Sequence, residues 1–165
     1  MRTVEHMPTR TVTAAPPSFL VHPIDRATAD RLRATATIVI TADVSPGYPC
    51  RQCLRDAEVG EEVVLVSFDP FEADVDSPYR CAGPIYLHVE DCSARLDTTP
   101  LPRQLTSRRL SVRAFDRATM IVDAAVIDGD DLGDTIERVF ADPEVERVHV
   151  HNAGPGCFAA LVTRR

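Results

Sequence analysis

The sequence predicts an α+β fold, mainly antiparallel β-sheet or a partly open barrel with two helices, in a single domain. Three observations lead there. Short β-branched runs recur along the chain, separated by loops rich in proline and glycine. Only two stretches carry apolar residues at helical spacing. The 165 residues suffice for one core of ordinary size, and no internal repeat marks a second unit.

Residues 1–17, rich in Thr, Arg, Ala and Pro, lack sustained periodicity and read as a flexible leader before a globular domain at 18–165. Phe19-Leu20-Val21 is a short first strand. Asp25 to Ala36 is predicted helical, with Asp25 as cap and Ala29, Leu32 and Ala36 on one face. Thr37 to Thr41 is a β-branched strand, broken by Pro46-Gly47. Glu62 to Phe68 is nearly continuous in apolar residues and reads as a central strand covered on both faces.

Residues 69–84 are predicted to be loop, punctuated by Pro70, Pro78 and Pro84, and Ile85 to Val89 another strand. A second loop runs through Pro100 and Pro102. In Arg109 to Phe115, Leu110, Val112 and Ala114 alternate with Ser111 and Arg113, so this strand has one buried face. Met120 to Ile127 follows as a strand. The acid-rich turn at Asp128 to Asp131 is expected to cap a helix over Asp131 to Ala141, whose Leu132, Ile136, Val139 and Phe140 form one stripe. Arg147 to Asn152 and Phe158 to Thr163 are strands joined by a Gly-Pro-Gly turn.

Composition excludes several functions. A formal charge of -7 and a pI near 5.2 provide no overall field toward nucleic acid or an anionic membrane. All 18 basic residues are arginine. Without lysine there is no Schiff-base chemistry and no P-loop lysine. Arginine is also the residue that holds carboxylate or phosphate with two parallel bonds. The N-terminus lacks the apolar stretch of a signal peptide and no run is long enough for a membrane helix, so a cytoplasmic protein with reduced thiols is expected.

Chemistry concentrates in two segments. Ser45 to Asp56 contains Cys50 and Cys53, Arg51 and Arg55, and Tyr48. His149 to Phe158 contains His149, His151, Asn152 and Cys157. If they meet, thiols, imidazoles and guanidinium groups share one pocket. Cys50, Cys157 and His151 are then the candidate catalytic residues, with a thiol as nucleophile and His151 as base. Arg51, Arg80, Arg113, Tyr48, Tyr79, Asn152 and His149 are the candidate substrate-binding residues. Backbone N–H groups of the Gly-Pro-Gly turn are expected to converge on an anion beside Cys157.

Cys50-Arg51-Gln52-Cys53 has the spacing of half a zinc site. No second Cys-x-x-Cys and no His-x3-His exists, and the remaining ligands would have to come from Cys81, His88, Cys92, His149, His151 or Cys157. Two semi-buried thiols are the commoner meaning of such a pair. No metal ligands and no cofactor are therefore assigned. Asp128-Gly129-Asp130 fails as a calcium loop, because Leu132 and Val139 stand where oxygen ligands are required.

Gly47-Tyr48-Pro49-Cys50-Arg51, Ser77-Pro78-Tyr79-Arg80, Leu110 to Asp116, Met120 to Ala124 and His151 to Phe158 together resemble a bacterial family catalogued as domain of unknown function 1203. The resemblance spans about residues 20 to 163 and implies no assigned activity; Cys53, Cys81 and Cys92 lie outside its motifs. Two function classes follow. One is an enzyme acting on an anionic small molecule through a cysteine, histidine and arginine pocket. The other is a non-catalytic small-molecule-binding or accessory protein, with or without a structural zinc. Either takes a small anionic ligand as partner, neither binds nucleic acid or membrane, and a homodimer is left open.

Overall fold

A computed structural model describes residues 18–71, 75–92 and 101–165; the expected leader, 1–17, lies outside them. The described residues form an α+β fold of eight strands in two antiparallel sheets. The larger sheet contains β1 (Phe19–His22), β5 (Arg109–Phe115), β6 (Ile121–Asp128), β7 (Arg147–Asn152) and β8 (Phe158–Arg164), in the order β1-β8-β7-β5-β6. The smaller contains β2 (Ile38–Thr41), β3 (Glu62–Phe68) and β4 (Gly83–His88), in that order. Neither sheet closes on itself among the described residues, and the expected mainly antiparallel α+β fold is what the chain adopts.

Burial follows the sequence pattern. In β5, Leu110, Val112 and Ala114 are buried while Ser111 and Arg113 are half-buried. On this face of the large sheet lies the main core. There α3 (Leu132–Phe140) sets Leu132, Ile136, Val139 and Phe140 against Leu110, Val112, Val148, Val150 and Val162. Fully burying one such side chain stabilises by roughly 1.5–3 kcal/mol. The other face meets the small sheet and α1 (Arg26–Ala34), with Phe158 and Leu161 packed against Val64, Val66 and Ile85. β7 is thus covered on both sides, and five of its six residues are buried.

Local chemistry accounts for the helix ends only in part. The Asp25 side chain caps α1, accepting from the Thr28 N–H at 2.9 Å. Before α3 the expected side-chain caps do not form. Asp128 and Asp131 make no capping hydrogen bond, and a 3-10 turn (Gly129–Asp131) leads into the helix instead. Exposed acids there still face the positive end of the helix dipole.

A one-turn helix, α2 (Arg103–Thr106), replaces part of the expected loop. Four residues are too few for periodicity to reveal. Its buried Gln104 donates to Cys50 O at 3.0 Å and Arg55 O at 2.9 Å, fastening the cysteine loop from outside. No helix among the described residues is long and apolar enough to cross a membrane.

Candidate functional site

The cysteine segment is a rigid loop laid against the edge of β4. Pro49 and Asp56 form an antiparallel bridge that closes it, and Cys50 makes a parallel bridge with Tyr86. Inside, Cys50 N–H donates to Arg55 O and Leu54 N–H to Cys50 O, with Leu54 in the left-handed region at φ 53°. Arg51 contributes its N–H to Tyr86 O and its carbonyl to Ile24 N–H. Every one of these bonds fixes the directions of the side chains between residues 50 and 53.

Two of those side chains, Cys50 and Cys53, converge with one residue of β4 and one beyond it. Cys50, Cys53, His88 and Cys92 bring three sulfurs and an imidazole nitrogen within 4.8 Å of one another. The Sγ atoms of Cys50 and Cys92 are 3.7 Å apart, and His88 Nδ1 is 3.5 Å from both Cys53 and Cys92. With Zn–S near 2.3 Å and Zn–N near 2.0–2.1 Å, a tetrahedral site has S···S edges of about 3.8 Å and S···N edges of about 3.5–3.6 Å. The three separations match edges of such a tetrahedron, and all four donors lie within 4.8 Å of one another. His88 is buried, and its Nε2 lies 3.2 Å from Glu61 Oε2 without the in-line geometry of a formed hydrogen bond. A carboxylate behind a ligating imidazole is what orients the ring toward a metal. Glu61 is itself held by Arg55 at 2.9 and 3.0 Å, which keeps its carboxyl down near 2.

Crowding of the donors shifts their proton affinities. Hydrogen bonds from Cys50 and Cys53 push His88 up to about 10, and those from Cys53 and Cys92 hold the Cys50 thiol far below its ordinary range. Of these four residues the sequence selected Cys50 as a nucleophile and paired it with Cys53. Its companions were hidden in a pool of six. The available signal was the His88-x3-Cys92 spacing at the end of a strand, a mixed pair matching neither Cys-x-x-Cys nor His-x3-His.

The two chemistry-bearing segments do meet, on the far side of the same loop. Arg51, only 1% exposed, donates through Nε to Phe158 O at 2.6 Å, through Nη2 to Cys157 Sγ at 3.0 Å, and through Nη1 to Pro49 O. Asn152 Nδ2 reaches the same sulfur at 3.4 Å. Gly156, at φ 74°, lets the turn double back so that Asn152 N–H meets Cys157 O. The expected convergence of N–H groups is not what the turn makes, because Gly156 N–H donates to Asn152 O. Cys157, Arg51 and Asn152 line a cavity of about 450 Å³ whose other walls include Leu65, Pro84 and Tyr86.

The remaining expected residues occupy other places. His149 and His151 project from the same face of β7, their ring centroids 6.2 Å apart, and both are buried. His151 Nδ1 sits 2.9 Å from Gly156 O and its ring meets Phe158 edge-on. Burial lowers His151 to about 4 and His149 to about 3, so both are neutral at pH 7. His149 lies among Phe71, Phe115 and Phe158. Tyr79 packs on Phe115, Arg80 pairs with Asp69 at 2.8 Å, and Arg113 donates to Ser111 Oγ at 3.3 Å. Tyr48 donates to Asp43 at 2.7 Å and meets Tyr86 edge-on. Arg51, Asn152 and Cys157 therefore share a cavity, and Cys50 belongs to the donor cluster behind it.

A model of the family described as "Protein of unknown function (DUF1203)" matches residues 47–164, which takes in both segments. The chain belongs to the DUF1203 family. No curated protein and no solved structure matches it. Within the DUF1203 match lie all four donors and every residue named for the cavity.

Proposed function

We propose that this DUF1203 protein is a zinc-binding domain, with one Zn²⁺ held by Cys50, Cys53, His88 and Cys92 as a structural staple. What carries this reading is that four soft donors lie within 4.8 Å of one another and that three of their separations, 3.7, 3.5 and 3.5 Å, match edges of a zinc tetrahedron. The chemistry of the donors supports it too. Three sulfurs and one nitrogen favour zinc over the oxygen-seeking cations. The Cys53 N–H directed at the Cys50 sulfur is an outer bond of the kind such a site uses, and Glu61, 3.2 Å behind His88 Nε2, stands where an outer carboxylate does.

Four protein ligands leave no open position for water or substrate, so the metal ties structure together and does not catalyse. It joins the loop at 50–53 to the end of β4 and to the segment that follows. This favours the binding or accessory reading over an enzyme with Cys50 as nucleophile. The test is metal analysis of protein produced with zinc and purified without chelator. The wild type should carry about one zinc per chain, Cys92→Ser clearly less than half of that, and Cys81→Ser the full amount. A wild-type content below about half an equivalent, or an undiminished Cys92→Ser, would end the proposal.

A further inference from the structure

We propose that the cavity above Arg51 binds a small molecule with one carboxylate-type anionic group on an apolar body, the anion received by Arg51 beside Cys157. This goes beyond the zinc site and does not depend on a metal being bound. Arg51 is a buried cation whose partners among the described residues are two carbonyls and a thiol, with no carboxylate to offset its charge. A buried cation without a carboxylate partner is costly; Cys157 and Cys50 offset it only through their sulfurs, and a ligand anion lowers the remaining cost. Three of the five guanidinium N–H groups are engaged, and two remain for an incoming oxygen pair.

Neighbouring arginines do not compete for this role. Arg108 is already closed on Asp56 by a two-pronged ion pair and on Gln104 O, and Arg109 extends into solvent toward Asp128. The walls are mostly apolar, with Pro49, Leu65, Pro84, Tyr86 and Pro155 around the polar floor. At about 450 Å³ the space suits a molecule of ordinary metabolite size. Asn152, itself buried, holds the Cys157 sulfur at the floor beside the guanidinium.

Alkylation of the native protein tests this without any variant. Iodoacetate and iodoacetamide modify thiols by the same step: sulfur attacks the methylene carbon, the S–C bond forms, and iodide leaves. They differ in charge. Rates at Cys157 and at the exposed Cys81 are followed by peptide mass spectrometry, Cys81 serving as the internal standard. An anion-receiving floor predicts an iodoacetate-to-iodoacetamide ratio at Cys157 higher than at Cys81 by about fivefold or more, falling as salt is added. Excess phenylacetate should slow labelling of Cys157 more than the same excess of acetate, and leave Cys81 unaffected. Equal ratios at the two thiols, or a Cys157 that neither reagent reaches, would overturn the proposal. Protection by acetate equal to that by phenylacetate would overturn the apolar body of the ligand. Arg51→Gln should abolish the preference if it folds, and the wild-type comparison decides if it does not.

Discussion

Lowering the pH from 8 to 5 should destabilise this protein through His149, by about 2 kcal/mol. His149 is 1% exposed, sits among three phenylalanine rings and is lowered to about 3, burial being the main cause. In the unfolded chain the same imidazole titrates near 6.5. Between those values the unfolded state binds a proton that the folded state refuses, so stability is complete above 6.5 and falls as pH falls. From 6.5 to 5 is 1.5 units, and at 1.36 kcal/mol per unit the loss is about 2 kcal/mol.

Other groups titrate over the same range, including donors of the proposed zinc site, so the measurement is a double difference. Urea denaturation of wild type and of His149→Leu is followed at pH 8 and pH 5, with zinc present throughout. The substitution adds a constant offset that cancels between the two pH values. Wild type should lose about 2 kcal/mol more than the variant. An equal loss in both proteins would mean that His149 is protonated inside the fold, and the account of its burial would be wrong.

Two further outcomes follow from other parts of the molecule. Glu61→Gln should weaken zinc affinity about tenfold in a chelator competition, the lower end of what an outer-shell carboxylate contributes, because Glu61 is 38% exposed and shared with Arg55; a loss as large as that of Cys92→Ser would place Glu61 among the ligands themselves. Gly129→Ala should cost several kcal/mol in thermal or urea unfolding, since its Cβ would collide with the carbonyl oxygens of Leu105, Thr106 and Arg108, which are backbone and cannot swing aside; a change under about 0.5 kcal/mol would contradict that packing.

Where hydrophobic alternation decided a segment, the sequence was legible. β5 falls at Arg109–Phe115 and β7 at Arg147–Asn152, the bounds expected, because each strand shows the main core one apolar face. What alternation cannot express is a second cover. His149 and His151 occupy the polar positions of β7, where a solvated face is the ordinary inference, yet Phe71, Phe115 and Phe158 pack on His149 and Phe158 on His151. The meeting of Arg51 with Cys157 was foreseeable as a meeting of two segments, since each is a tight turn beside a strand. The donor cluster was legible only by half. Cys50 and Cys53 announce themselves by spacing, whereas His88 reaches them through the register of β4 against β3 and the bridge from Cys50 to Tyr86.

Arg51 lies inside a four-residue span whose first and last members are both donors, Cys50 and Cys53. Ordinarily a long, flexible side chain resists being held, at a cost of about 2 kcal/mol in rotamer freedom. Here the backbone beneath it is pinned at both ends, so the guanidinium arrives at Cys157 already aimed. Evolution could not easily retune one side of this loop alone: a change that loosened the cluster would also blur the floor of the neighbouring cavity.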